Sequence, residues 1–432
     1  MSAVTVTGST DTTSTTRRDS TTTSQTKRSG NVATLRNDQK PLTAIDTFGN
    51  IFTVPDYSIK DILSAIPKHC YERRWYEGLY YVFRDIACML AIGYVANTYI
   101  PLVPNTALRG LLWFGYATVQ GLFGTGLWVL SHECGHRAFS DYEWLDSFVG
   151  WVLHSYLLVP FFSWKFSHGK HHKATGHLTR DMVFVPRTKE QFLAKRGVSS
   201  LKELSEDAPI VSLYSLLLQQ LGGWIMYLFT DVTGQEYPDV PQYKVNHFNP
   251  SAPIFDKKDY WYVLLSDIGI LIQFGVLYVW YQHFGGWNVF INWFLPYIWV
   301  NHWLVFITFL QHSDPTMPHY EADQWNFARG AAATIDREFG FVGQHIFHDI
   351  IETHVLHHYC SRIPFYNARE ASEAIKKVMG KHYKHSDENM WVSLWKSARC
   401  CQFVDGDNGV KMFRNINGFG VKPIDVDGKP VN

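Results

Sequence analysis

Ser131-His132-Glu133-Cys134-Gly135-His136, followed further on by His168-Gly169-Lys170-His171-His172, is the stretch on which the reading of this chain turns. A third cluster, His354-Val355-Leu356-His357-His358, answers it far down the sequence. On a helix, residues at i and i+4 project from one face with Cβ atoms roughly 5–6 Å apart, the separation that two ligands of one metal ion need. His132 and His136 fit that spacing, and the histidines at i, i+3 and i+4 of the other clusters share a face in the same way. The three segments together offer eight imidazoles. Eight is too many for one four-coordinate zinc and suits two metal ions with room for a small further ligand. A lone histidine is ordinarily a hydrogen-bonded core residue, but three independent patterns of this kind are not accounted for by packing.

The chain has 432 residues, 46% of them hydrophobic and 16% aromatic, with 39 basic and 39 acidic side chains. That charge balance leaves no nucleic-acid footprint. The apolar residues are concentrated in long runs, which makes the class a membrane protein; polar loops and a polar N-terminal segment dilute these runs to a slightly negative mean hydropathy. Six cysteines, Cys70, Cys88, Cys134, Cys360, Cys400 and Cys401, form no spaced framework, so no oxidising compartment is implied. Cys134 sits two residues from His132 and points off the ligand face.

Residues 1–45 are crowded with Ser and Thr and cannot bury enough to offset chain entropy, so a disordered tail is expected. It has no apolar core of a secretory signal, and Asp11 and Asp19 argue against a transit peptide. A domain follows over 46–425, with 426–432 as a C-terminal tail. Within it, 79–100, 108–130, 260–284 and 287–310 are each long enough to cross a hydrocarbon core of ~30 Å. Pro101 to Pro104 turns the first pair and Gly285-Gly286 the second, giving two hairpins. The shorter runs 148–162 and 210–229 are expected to lie in the interface, because the three histidine clusters must meet on one side. Lys60, Lys68, Arg73 and Arg74 precede the first span, and Arg137, Lys165, Lys170, Lys173 and Arg180 follow the second. The hairpin turns carry no basic residue, so the clusters and both termini face the cytosol. The expected fold is an all-α integral membrane protein: four transmembrane helices in two hairpins, interfacial helices, and a cytosolic helical cap that carries the histidines.

A site rich in imidazole and poor in carboxylate suits a first-row transition metal such as iron, which can activate O2, whereas zinc brings no redox chemistry. At a membrane surface it can accept a lipid chain, so the reaction class is oxidation of an unactivated C–H bond on an acyl chain. In their order and spacing the three histidine boxes resemble those of the membrane-bound fatty acid desaturases. Finer motifs resemble the fungal and plant delta-12 (oleate) branch: His132 to Ser140, Leu157-Leu158-Val159-Pro160, His171 to His177, Asn246-His247-Phe248-Asn249-Pro250 and Glu352 to His358. The likeness covers about residues 45–425.

The resemblance implies a di-iron, O2-dependent oxidoreductase of the endoplasmic reticulum membrane. It would introduce a cis double bond into an oleoyl chain, on a phospholipid or another carrier, with electrons from cytochrome b5 and NADH-cytochrome b5 reductase. Carried over, the iron ligands are His132, His136, His168, His171, His172, His354, His357 and His358. The family also places a ninth histidine just after the last span, where this chain has His312. Asp181 and Glu352 are candidates to orient ligand imidazoles or, equally, to pair with a neighbouring Lys or Arg. Ser131 and Arg137 flank the first box where the branch usually carries smaller or neutral residues. Related outcomes therefore stay open: omega-3 or bifunctional desaturation, hydroxylation, and conjugase or acetylenase chemistry. A non-enzyme alternative, a histidine-rich metal transporter, would place its ligands within the spans.

Overall fold

The computed structural model describes residues 42–431, so the expected disordered tail lies outside the described residues as far as residue 41. Its last residues are a correction: Thr43–Ile45 (β1) pairs antiparallel with Ile51–Thr53 (β2). The intervening turn is held by the Asp46 carboxylate, which accepts from the Phe48 and Asn50 N–H groups at 2.8 and 2.9 Å.

Helix α1 (Ile59–Ala65) opens on a Ser58/Asp61 capping box. It leads to α2 (Trp75–Tyr99), α3 (Thr106–His136), α4 (Glu143–Tyr156) and α5 (Phe161–His172). Proline cannot continue a helix, and the chain turns at Pro101 and Pro104 between α2 and α3 and bends by 106° between α4 and α5, next to Pro160. After α6 (Lys189–Arg196) and α7 (Pro209–Thr230) comes α8 (Tyr260–Val289), and a π turn, Phe290–Phe294, joins it to α9 (Leu295–His312). The helical run Lys257–His312 has 56 residues. Straight, it would measure about 84 Å at 1.5 Å per residue. It breaks instead at Gly285, whose φ of 80° only glycine adopts without strain.

The remainder alternates short strands and helices: β3 (Pro318–Tyr320), α10 (Phe327–Ala331), β4 (Asp336–Arg337), α11 (His354–Tyr359), α12 (Phe365–Met379), β5 (His385–Ser386), α13 (Met390–Cys400), β6 (Phe403–Asp405) and β7 (Val410–Arg414). Strands β3, β7 and β6 form an antiparallel sheet in that order, and β4 pairs with β5 in parallel. The molecule is thus mostly helical, but the cap is not the wholly helical one expected. Residues 426–431, expected as a tail, turn back so that Val431 N–H donates to Pro423 O at 3.0 Å. All six cysteines are free.

Among the described residues, Trp75–Leu102 and Lys257–His312 are long and apolar enough to cross a membrane, and the bent α4–α5 pair adds a third if it is one broken span. α3 is not among them. Its glycines and Gln120 dilute its apolar content because it is the inner helix, buried from Gly124 through Cys134. A Cβ on Gly121 would collide with Trp299 Cβ, and one on Gly124 would stand 2.7 Å from a Val300 methyl, so glycine lets α3 and α9 cross closely. Arg84 and Asp85, awkward in an apolar run, pair at 2.6 Å, and Asp85 also accepts from His348 Nε2 at 2.9 Å.

Both long hairpins begin and end at one end of the molecule. Gly78, near the start of α2, lies under the Phe139 ring just beyond the end of α3. Ser266, near the start of α8, accepts from the Phe162 N–H of α5 at 2.9 Å, while His312 at the end of α9 meets the α5 residue His171. At the far end Asn97 and Asn292 exchange amide hydrogen bonds of 2.8 and 3.2 Å, and Tyr116 Oη donates to Asn292 Oδ1 at 2.7 Å.

Candidate metal centre

Helix α3 runs on past its apolar portion and stops where Arg137 takes a left-handed conformation, φ 60°. His132 and His136 therefore share its last turns, their ring centroids 4.6 Å apart. α5 ends on His168, His171 and His172, α11 carries the third box, and α9 ends on His312. All nine sequence-expected histidines converge.

They fall into two groups. One nitrogen from each of His132, His136, His168, His172 and His357 lies within 4.8 Å of all the others, and the same holds for His171, His312 and His358. His354 adjoins the second group, its Nε2 3.0 Å from His312 Nε2. In the first group His168 Nε2 stands 3.1 Å from both His132 Nε2 and His172 Nε2. Metal–nitrogen bonds of about 2.1 Å at right angles place adjacent donor atoms about 3 Å apart, so these approaches match the edges of a shared coordination sphere. Nε2 of His136, His357 and His358 is buried with no hydrogen-bond partner among the described residues. Buried polar atoms are normally satisfied, and such orphans point to an ion. Both groups fit a first-row metal.

Burial comes first, and repulsion from neighbouring rings second, in holding His132, His136, His168, His172, His312, His354 and His358 well below the usual imidazole range. Burial likewise lowers His357 to about 3. Neutral imidazole is the form that binds a metal.

Two partners fix ring orientation. His171 Nδ1 donates to Asp181 Oδ1 at 2.6 Å, which leaves Nε2 for a metal. Asp181 is itself held by the N–H groups of Gly176, Val183 and Phe184. Thr175 Oγ1 donates to His171 O at 2.8 Å, so its lone pair is left to accept His358 Nδ1–H at 3.0 Å. Glu352 reaches no ligand imidazole; Oε1 accepts the Phe339 N–H at 3.1 Å and braces the loop before the third box. Asp336, which sequence reasoning passed over, accepts the Val355 N–H at 2.7 Å and also Tyr383 Oη, anchoring α11. No short-range signal marks it, since its partners come from later in the chain.

His154 is packed among Trp128, Phe161 and Trp164 away from both groups, and His319 lies against Phe413. Beside the histidines is a cavity of about 150 Å³, walled by Trp128, Trp164 and Trp224 on one side and by residues of α9 on another. His132, His168, His171, His312 and His354 form another part of its wall, and the remaining lining is mainly apolar.

An apolar helical scaffold gathers nine imidazoles at one end, beside an apolar cavity, an arrangement compatible with a metal site in a membrane-type protein. Residues 111–388 match the family model described as fatty acid desaturase. An oleate hydroxylase of Claviceps purpurea is 48% identical over 407 residues, covering 88% of this chain and 85% of the relative. A Delta(12) fatty acid desaturase of Mortierella isabellina is 41% identical over 383 residues, covering 87% and 94%. An omega-6 fatty acid desaturase, endoplasmic reticulum, of Brassica juncea is 40% identical over 356 residues, covering 82% and 89%. The chain belongs to the fatty acid desaturase family, and it is an oxidoreductase acting on lipid in a membrane setting.

Proposed function

We propose that the protein is a delta-12 desaturase that converts an oleoyl chain, carried on a membrane lipid, to a linoleoyl chain. The observation that carries this reading is the pairing of two imidazole groups with an apolar cavity, in a chain similar to delta-12 desaturases of fungi and plants. His132, His136, His168, His172 and His357 would hold one iron, and His171, His312, His354 and His358 the other. Bound iron supplies the activation of O2. The residues of the chain do the rest: the tryptophan walls exclude water and hold the methylene segment against the histidines, while Asp181 and Thr175 keep His171 and His358 oriented. Forming one double bond removes two hydrogens and reduces O2 to two waters, which requires two electrons and two protons from outside.

The donor we infer is cytochrome b5, reduced by NADH-cytochrome b5 reductase. His136 and His168 are half-buried, and a Cβ on Gly169 would meet nothing within 4 Å, so the first group has a short path to the surface. Arg137, Lys170 and Lys173 follow these histidines closely in sequence; Arg137 pairs with Glu143 and Lys170 with Asp256, while Lys173 is exposed and available to an acidic partner. For the membrane arrangement we infer four crossings over 79–100, 108–130, 260–284 and 287–310, with α7 in the interface and the site facing the cytosol from the endoplasmic reticulum. A glycosylation acceptor inserted between Pro101 and Pro104 is expected to be modified and one at the C-terminus to stay unmodified; the reverse pattern would overturn the arrangement.

The function is tested by expression in a yeast that lacks polyunsaturated fatty acids, with gas chromatography of total lipids. A new diene at carbons 9 and 12 is expected. A second reading, hydroxylation at the same carbon, is favoured by the similarity to the Claviceps hydroxylase. A hydroxy acid as the main product would replace the first reading with the second, and a triene from supplied diene would move it to omega-3 chemistry.

A further inference from the structure

On the side of α7 and α9 the cavity beside the histidines is closed only by a thin seam. Gly223 and Gln219 of α7 and Val305 and Thr308 of α9 line it, and all four are only half-buried, whereas Trp224 and Leu304 next to them are buried. A Cβ placed on Gly223 would stand 3.6 Å from both Val305 methyls and 3.8 Å from Gln219 Cγ, so at this point the seam is two methyl groups against a bare backbone, flanked by the Gln219 stem. The outer face of α7 beside the seam is apolar and bare: Leu217 is 51% exposed, Leu218 56% and Leu221 51%. Large exposed apolar faces of this kind are turned to lipid rather than water. The same cavity continues along the two helices to the cap, where Phe184 and Thr233 form its rim.

The geometry points to the α7–α9 seam as a lateral portal through which an acyl chain passes from the bilayer to the metal centre while still attached to its glycerolipid. A closed tunnel must be threaded from one end, which suits a chain delivered from water on a soluble carrier. A slot closed along its length only by a thin seam admits a chain sideways when the two helices part slightly. The polar headgroup then stays level with the rim at Thr233, and the chain never crosses water. Gly223 is the residue on which this depends, because any large side chain there fills the slot. The inference rests on the acyl-oxidation reading above and adds the route by which the chain enters.

The test uses the full chain in yeast membranes supplied with isotope-labelled oleoyl phospholipid. In the double variant Gly223→Cys/Val305→Cys, a short reversible bifunctional thiosulfonate is expected to lower product formation at least tenfold, and thiol reductant to restore it. Bound iron should stay unchanged, and each single variant should be insensitive. If the double variant is already slow before treatment, a size series decides: Gly223→Ala, whose methyl meets only ordinary contact, should keep most activity, and Gly223→Trp should lose it while retaining iron. Undiminished conversion in protein shown by mass spectrometry to be cross-linked, or equal rates in the alanine and tryptophan variants, overturns the portal. Absence of both diene and hydroxy acid in the unaltered protein would instead count against the acyl-oxidation reading.

Discussion

Replacing His312 with alanine is expected to abolish product formation and to lower bound iron, while the protein still accumulates in the membrane. His312 is the last residue of α9, buried, with Nε2 3.0 Å from His354 Nε2 and its ring 4.8 Å from His171 and 4.9 Å from His358. The second group has fewer imidazoles than the first, so the loss of one donor removes a larger share of its binding. His319→Ala is the matched control. That ring is also buried, but it packs on Phe413 in the β3–β7 sheet and belongs to neither group, so iron should be retained. Iron by mass spectrometry and product by gas chromatography, measured on both variants, decide the point. Full iron occupancy and activity in His312→Ala would remove it from the ligand set.

Asp181→Ala is expected to cost 10–100-fold in activity or iron affinity, the usual range when the acceptor behind a ligand imidazole is lost. The carboxylate both orients His171 through its 2.6 Å hydrogen bond and gathers three backbone N–H groups after the second box. Asp181→Asn keeps an acceptor oxygen for His171 and loses the charge, so a decrease of about tenfold, at the mild end of that range, is expected. An alanine variant with parental activity and iron content would show that α5 alone holds His171 in place.

The part of the site legible in the sequence is the part made by local geometry. His132 with His136, and the doublets on α5 and α11, declare themselves because helical spacing alone puts their rings on one face. His312 has no such neighbour. Its place could be argued only from where α9 ends and from the resemblance to a family, since the contact with His354 is made across the fold. The orienting groups divide in the same way: Asp181 stands ten residues from His171 and was a visible candidate, whereas Glu352 was equally visible and braces Phe339 instead. Asp336 could not be seen at all. The cap sheet escaped for a related reason. Strands of three to five residues, Pro318–Tyr320, Phe403–Asp405 and Val410–Arg414, are too short to display an alternation, and two of them pair across most of the cap. The close seating of α3 depends on neighbours the sequence does not show: a helix enclosed by other helices needs small residues for close crossing more than it needs leucines.

The convergence of donors from α3, α5, α9 and α11 also sets an order in time. Synthesis delivers His132 and His168 early and His358 last, and each of the two groups includes a residue of the third box. Neither coordination sphere is complete until that box has left the ribosome, by which point both long hairpins are already made. The earlier helices must therefore find their places by packing alone, and the proposed metal binding, which contributes directly to folding free energy, would act as a late seal. A chain that stops short of the third box carries most of the membrane-type helices and lacks a donor for each histidine group, so on the proposed di-iron reading iron content would distinguish finished molecules from abandoned ones.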